Sequence, residues 1–246
     1  MLRVLPLLLS GALLVSPCLS WAGIDEGLAA ARRNDYATAL KEFQPLAAQG
    51  SAQAQYYLGT LYLNGTGVTK NNAEAVKWIT MSAGQGYAPA QADLGLMYFN
   101  GEVVTKNDPE AVKWTSKAAE QGFANAKFVL GLAYYIGTGI TKDDAKAVEW
   151  FLAAAKQGNP PAQFNLGSLY FLGEGVSKDA AEAVKWYTRS AEQGFAPAQY
   201  MLGVAYANGT GVTKNAIEAD KWLVKAAQQG YAPAQELMRS SHQVDF

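Results

Sequence analysis

The chain has few side chains of the kinds that enzymes use as nucleophiles, general bases or metal ligands. It contains one cysteine, Cys18, and one histidine, His242. Because Cys18 falls in a segment interpreted below as a cleaved signal, cysteine–histidine dyads and clustered-histidine metal sites are not expected, nor is a Ser-His-Asp triad. A paired-acid hydrolase stays open, although the carboxylates recur where helix capping explains them. The residue types therefore predict no catalytic residue, no metal site and no cofactor.

A column of lysines is the second feature that could bind a ligand. Its members, 36 residues apart, are Lys70, Lys106, Lys142, Lys178 and Lys214. They predict a basic ridge in the loops, which is either a solvated edge or a site for an anionic glycan or a phospholipid headgroup. Asp143 and Asp179 directly follow two of the lysines and are expected to weaken the field. With 20 Lys+Arg against 21 Asp+Glu, the chain has no basic excess that would favour nucleic acid.

The same period of 36 residues governs the rest of the chain. The glycines, tyrosines and tryptophans that mark it are Gly59, Gly95, Gly131, Gly167 and Gly203; Tyr62, Tyr98, Tyr134, Tyr170 and Tyr206; and Trp78, Trp114, Trp150, Trp186 and Trp222. A fixed period of this length is typical of solenoid and other repeat proteins.

Each repeat reads as a pair of helices. In the first repeat, helix A is predicted over residues 52–64 and ends at Gly65-Thr66-Gly67, where glycine allows a left-handed C-terminus. Helix B is predicted to begin after an N-cap at Asn71, with Glu74 completing a reciprocal capping box. It is predicted to end at Gly86, and the same signals recur in the other repeats.

Small residues at the predicted contact and large aromatic residues near it predict close packing of the two helices. Gly59 and Ala75 leave almost no side chain where helix A meets helix B, and Tyr62 and Trp78 supply large apolar area. A single helix pair cannot bury both of its faces, so neighbouring pairs must stack. The predicted fold class is all-α, an α/α superhelical solenoid.

The departures from the repeat define the predicted domain boundaries. Near the ends, Glu42 replaces the tryptophan, and Arg239 and His242 replace the glycine and the tyrosine, as expected of capping units with polar outer faces. The predicted segments are a signal peptide (1–22), a tetratricopeptide-like capping helix pair (23–50), five repeats (51–86, 87–122, 123–158, 159–194 and 195–230), and a capping helix with its tail (231–246).

The first residues resemble an export signal. Arg3 precedes a largely apolar run at residues 4–15, and Ser20-Trp21-Ala22 places small residues at the −3 and −1 positions of a cleavage site. We therefore predict cleavage after Ala22 and a periplasmic or secreted protein without a transmembrane anchor in its mature form. Retention as a membrane anchor and lipidation of Cys18 are the alternatives, although Pro17 before the cysteine is unlike a lipoprotein signal.

The recurring pattern resembles the Sel1-like repeat, a relative of the tetratricopeptide repeat, over residues 51–242. In repeat one its positions are Leu58-Gly59, Tyr62, Gly65, Gly67-Val68, Ala75, Trp78, Ala83 and Gly86. The resemblance implies a solenoid whose helices A line a concave groove, and an adaptor function in signalling, envelope regulation or host contact. The departures are Val103, which replaces the second loop glycine of repeat two, and Asp220, which replaces an apolar residue before Lys221-Trp222.

Helix A presents two faces on a helical wheel of about 100° per residue. Gln55, Leu58 and Tyr62 fall together and are predicted to face helix B, whereas positions 56, 60 and 63 fall on the side that lines the groove in related repeats. The larger residues on that side are Tyr56, Leu63, Phe99, Phe128, Tyr135, Phe164, Phe171 and Tyr200. We predict that they bind a peptide or a helix of another protein. Packing of these rings between adjacent helices A is the alternative.

The function predicted from these patterns is that of a non-catalytic interaction scaffold, monomeric, with a protein or peptide partner and no role with nucleic acid. The first alternative is a cell-wall or β-lactam-acting enzyme, because some cysteine-rich relatives of this family bind or hydrolyse β-lactams. The second is a structural protein that associates end to end, which polar residues such as Glu42 and Arg239 at the terminal units disfavour.

Overall fold

The computed structural model describes residues 17–242, which form thirteen α-helices and no strand. The helices are α1 (Pro17–Arg32), α2 (Tyr36–Ala48), α3 (Ala52–Asn64), α4 (Asn72–Gly84), α5 (Ala88–Asn100), α6 (Asp108–Glu120), α7 (Ala124–Ile136), α8 (Asp144–Ala155), α9 (Pro160–Leu172), α10 (Ala180–Glu192), α11 (Ala196–Asn208), α12 (Ala216–Gln228) and α13 (Ala232–His242). The predicted all-α repeat fold is confirmed. From α3 onward the odd-numbered helices are helices A and the even-numbered ones are helices B.

The predicted signal peptide lies only partly within this region. Its basic start and its apolar run, within residues 1–16, lie outside the described residues, as do the last residues of the predicted tail, 243–246. Helix α1 begins at Pro17 and runs through the predicted cleavage position after Ala22. None of the helices in residues 17–242 combines the length and the apolar character needed to cross a membrane.

The described residues divide into two compact units, one that ends at Gln85 and one that begins at Gly86. In the first unit α1 packs on α2, α2 on α3, and α3 on α4. In the second unit each helix from α5 to α13 packs against the next one in the chain. In the second unit, every helix B therefore contacts its own helix A and the helix A that follows it.

The predicted helix starts are confirmed, but the reciprocal half of the capping box is wrong. Asn71 caps α4 by accepting from the Glu74 backbone N–H at 3.1 Å, and the equivalent residues cap the other helices B. The Asn71 N–H, however, donates to the Tyr62 carbonyl at 2.9 Å, because the loop folds back on helix A. The Glu74 carboxylate pairs instead with Lys77, one turn along the helix, at 3.2 Å.

The repeated glycines of helix A allow the predicted close approach to helix B. A β-carbon built on Gly59 would lie 2.7 Å from Ile79 Cγ1 and 3.1 Å from the Ala75 carbonyl oxygen. The Ala75 side chain beside that carbonyl is fully buried. Gly167 and Gly203 meet the equivalent alanine carbonyls at the same distance of 3.1 Å. Any side chain at these positions would have to push two helix backbones apart.

The two departures in the repeat pattern are visible in the structure. Gly67 has a φ of 74°, a left-handed conformation shared by the second loop glycines of repeats three to five. Val103 does not adopt a positive φ, so the loop of repeat two follows a different backbone path. Asp220 is exposed on α12, whereas Val112, at the same position of α6, is buried.

Buried glutamines tie successive repeats together, a feature that the sequence analysis did not anticipate. Gln163 is 4% exposed; its Nε2 donates to the Ala155 carbonyl at 3.1 Å, and its Oε1 accepts from Gln193 Nε2 at 2.8 Å. Equivalent pairs of glutamines lie at Gln55 and Gln85, Gln91 and Gln121, and Gln199 and Gln229. Because buried amides need partners, the bond from Gln163 to Ala155 on α8 specifies how repeat four stacks on repeat three, and the glutamine pairs join helix A to the end of its own helix B. Lys127 replaces the glutamine in repeat three.

Candidate functional site: the helix-A face

The eight residues predicted to line a groove are all half-buried. Tyr56 and Leu63 lie on α3 in the first unit, and the other six lie on α5, α7, α9 and α11 in the second. None of them is fully exposed, so each side chain is partly engaged in packing. One set of rings packs against helix B, a second lies at the last turn of helix A, and Phe99 lines an open cleft.

One column of rings packs against helix B and against the start of the next repeat. The Phe164 ring centre lies 5.8 Å from that of Tyr187 on α10 and 5.6 Å from that of Phe195. Phe128 is 5.9 Å from Phe151 on α8 in the same way. These rings stabilise the fold, and only their outer edges are left for a ligand.

A second column of rings lies at the last turn of helix A, close to charged side chains. The Tyr135 hydroxyl donates to Glu174 Oε2 at 3.0 Å, and Lys142 Nζ lies 5.4 Å from the ring centre. The hydrogen bond to Glu174, and then burial, raise the pKa of the Tyr135 hydroxyl above its ordinary value. Lys178 covers Phe171 in a similar position, at 5.8 Å.

Replacing Glu174 by alanine is expected to lower the pKa of Tyr135 towards its ordinary value. The raised pKa favours the neutral phenol, so the contact stabilises the fold below the unfolded pKa and is lost as the pH rises through the folded one. An NMR titration of ring-labelled tyrosine measures the change. Glu102→Ala, at the same loop position of repeat two, is the control, and an unchanged Tyr135 titration in Glu174→Ala would contradict the assignment.

An apolar cleft of about 260 Å³ lies between α5 and α7 in the second unit. It is lined by Leu96, Phe99, Val129, Leu132, Ala133, Ile136 and Thr138. Ile136 is 65% exposed and Leu96 is 40% exposed, so two large apolar side chains stand open to water at this cleft. Exposed apolar groups around a concavity are typical of ligand and partner sites.

Of the cleft residues, only Phe99 was predicted from the sequence to line a binding groove. The signal for Ile136 was present in the last position of helix A. That position holds Asn64, Asn100, Ile136, Leu172 and Asn208 in the five repeats. A change from asparagine to a large apolar residue at a helix end exposed to water is a local departure without a packing reason.

Two lysines of the predicted ridge form ion pairs, but not with the predicted carboxylates. Lys106 pairs with Asp108 at 3.5 Å and Lys142 with Asp144 at 3.3 Å. Asp143, which directly follows Lys142, instead caps α8 and lies 3.6 Å from Lys146 Nζ. Asp143 and Asp179 cap α8 and α10, because an N-cap side chain turns towards its own helix, and the weakening of the lysine field by these two residues stays a prediction.

Residues 17–242 contain no group of three or more His, Cys, Asp or Glu side chains suited to a metal ion. The feature that these residues do present for binding is the apolar helix-A face.

Stacked helix pairs with an open apolar face define an α-helical repeat protein. Five copies of the Sel1 repeat match residues 52–87, 88–123, 124–159, 160–195 and 196–231, and the chain belongs to the Sel1 repeat family. Proteins of this family are generally protein–protein interaction scaffolds and are typically non-catalytic. A comparison with curated proteins gave no match.

Solved structures with the same fold include two that share more than a third of their residues with this chain. A Sel1 repeat protein from Oxalobacter formigenes is 36% identical, with a TM-score of 0.82, over 89% of this chain and 86% of that one. A protective antigen present in uropathogenic Escherichia coli strains is 39% identical, with a TM-score of 0.77, over 80% of this chain. The match spans only 42% of that antigen's length.

Proposed function

We propose that this protein is a non-catalytic scaffold that binds a peptide or another protein through its helix-A face. The observation that carries the proposal is the apolar cleft between α5 and α7, at which Ile136 is 65% exposed. Water contact at so much apolar surface is unfavourable, and a partner that covers the cleft would remove it. Membership of a family of interaction scaffolds supports the same function.

The predicted groove residues extend this face beyond the cleft. Phe99 lines the cleft itself, and Tyr135 directly precedes Ile136 at the end of α7. Half-buried rings are held rigidly, so that they offer contact area at a low cost in conformational entropy. A bound helix or extended peptide would therefore meet a face that is ordered before binding.

The proposed location is the periplasm or the outside of the cell, with the protein acting as a monomer. Its support is the pattern of Arg3, the apolar run at residues 4–15 and the small residues before Gly23. Cleavage after Ala22 would remove Cys18 and leave a chain without cysteine. Such a protein would depend on packing, rather than on disulfides, for its stability outside the cytoplasm.

The test is capture of the partner from an envelope fraction by the purified protein, followed by a binding measurement. Replacing Tyr135 and Phe171 together by serine is expected to weaken binding by at least about ten-fold, because two anchoring rings are lost. The matched control replaces Tyr134 and Tyr170, the preceding residues on the same two helices, which are also half-buried. Equal binding by the two double variants, at equal stability, would argue against the helix-A face.

The alternative of a cell-wall or β-lactam-acting enzyme makes a different prediction. No feature of residues 17–242 favours it, and the helix-A cleft is lined by apolar side chains with one threonine. Sustained hydrolysis of nitrocefin by the purified protein, abolished by a point substitution, would replace the scaffold proposal with this alternative.

A further inference from the structure

A small pocket lies between repeats two and three, next to the apolar cleft. It has a volume of about 90 Å³ and lies between α5, α6 and α7. Ala92, Thr115 and Phe123 form part of its wall, and Asp93 and Asn125 add polar atoms. The pocket and the cleft share Leu96 and Val129 as lining residues, so that the two adjoin each other.

The other repeats show which group normally fills this place. In repeat four the Phe164 ring lies between the rings of Tyr187 and Phe195, at 5.8 Å and 5.6 Å. The residues at the same positions of repeat two are Ala92, Thr115 and Phe123. Repeat two thus keeps the last ring, replaces the central ring by a methyl group and replaces the tyrosine by a threonine. The pocket is the space that these replacements leave.

The five repeats differ at this position in a way that isolates repeat two. The helix-A column reads Tyr56, Ala92, Phe128, Phe164 and Tyr200, and the helix-B column reads Ile79, Thr115, Phe151, Tyr187 and Leu223. Only repeat two has a small residue in both columns. Protein interiors are normally close-packed, and the other four repeats have a large side chain in at least one of the two columns.

One residue that lines the pocket carries an unsatisfied polar group. Thr115 is 1% exposed, and its Oγ1, which lies beside Gly95, has no hydrogen-bond partner within residues 17–242. Buried hydroxyl groups are nearly always paired, because the unpaired state forfeits hydration without compensation. Threonine has two χ1 rotamers available in a helix, so this hydroxyl can turn towards a ligand.

We infer that this pocket binds a tyrosine side chain of the protein partner, an assignment that rests on the proposed function. The ring would take the place that Phe164 takes in repeat four, against Phe123. The phenol hydroxyl would lie among Thr115, Asp93 and Asn125, which offer it a donor and acceptors. A cavity of about 150 Å³ holds a benzene ring, so a ring here fills the smaller pocket and extends into the cleft that adjoins it.

The assignment is tested with capped amino acids as probes of the pocket. N-acetyl-tyrosinamide is expected to shift the methyl NMR signals of Leu96 and Val129 in a saturable manner. The phenylalanine derivative should bind more weakly and the leucine derivative more weakly still, because the first lacks the hydroxyl and the second lacks the ring. Equal binding of the leucine and tyrosine derivatives, or no shift in the wild-type protein, would overturn the assignment.

Two variants separate the pocket from a mere packing defect. Ala92→Phe supplies the missing ring, and it is expected to raise Tm and to weaken binding of the tyrosine derivative by at least about ten-fold. Ala207→Phe, the same substitution on α11, is the control that should leave binding unchanged. Thr115→Val replaces only the hydroxyl, by a methyl group. This variant should lose the preference of the pocket for the tyrosine over the phenylalanine derivative. Unaltered binding and preference in both pocket variants would refute the assignment.

These probes report on the pocket without the partner. If they fail to bind while the Tyr135 and Phe171 double variant still loses partner capture, the assignment of the tyrosine pocket is wrong and the proposed scaffold function is kept. If the probes bind as expected while capture is indifferent to every substitution on the helix-A face, the proposed function falls instead.

Discussion

Replacing Gly167 by valine is expected to destabilise the protein by about 2–3 kcal/mol, because it overpacks a close contact between helices A and B of one repeat. A β-carbon at this position would lie 2.9 Å from the Tyr187 ring and 3.1 Å from the Ala183 carbonyl oxygen. The ring can rotate away only by breaking its 3.2 Å hydrogen bond to Ser168, and the carbonyl belongs to the backbone of α10. The whole helix pair would therefore have to widen.

Urea unfolding followed by circular dichroism measures this loss as a lower midpoint. Gly84→Val is the matched control, since nothing lies within 4 Å of a β-carbon built on Gly84 and its φ is not positive. That variant should stay within about 0.5 kcal/mol of the wild-type protein. A Gly167→Val protein as stable as this control would show that the helices do not approach as closely as described.

Replacing Ile136 by aspartate is expected to weaken binding of the captured partner by about 100-fold while the fold remains intact. Ile136 is 65% exposed, so the carboxylate stays hydrated in the free protein, and at the end of α7 it costs only a few tenths of a kcal/mol. A partner that covers the cleft would bury the charge without a counter-ion. Such unpaired burial costs about 3 kcal/mol, which corresponds to about 100-fold in affinity.

Two controls separate charge from position. Ile136→Asn introduces the residue that repeats one, two and five carry there, so it removes the apolar contact without a charge and should have a smaller effect. Ile217→Asp places the same charge on a 79% exposed isoleucine at the start of α12, where the helix dipole favours it. Isothermal titration calorimetry measures the affinity of the three variants for the captured partner. Wild-type affinity in Ile136→Asp would exclude the cleft from the interface.

The helices were predictable because each boundary is encoded by neighbouring residues. Asn71 before α4, Gly65 after α3 and Gly86 after α4 act within one turn, and the structure places all three as expected. The close approach at Gly59 was predictable for a related reason. A glycine that recurs every 36 positions indicates a contact in which a neighbouring helix leaves no room for a side chain.

The partners of charged side chains were less predictable. Glu74 could bond to the Asn71 N–H or to Lys77, and both options satisfy the sequence pattern. The fold decides, because the loop after α3 turns back and offers the Tyr62 carbonyl to that N–H first. Lys142 shows the same ambiguity, since Asp143 and Asp144 both follow it and only the turn of α8 selects the second.

The sequence by itself thus determined the helices, their order in pairs and the family to which the chain belongs, because periodic signals act over one or two turns. Only the tertiary structure decided which rings of the helix-A face pack against helix B. It also decided that Ile136 lies at an open cleft and that Ala92 and Thr115 leave a pocket. Those properties depend on the distances between helices that are far apart in the chain, and residue spacing along one helix does not specify such distances.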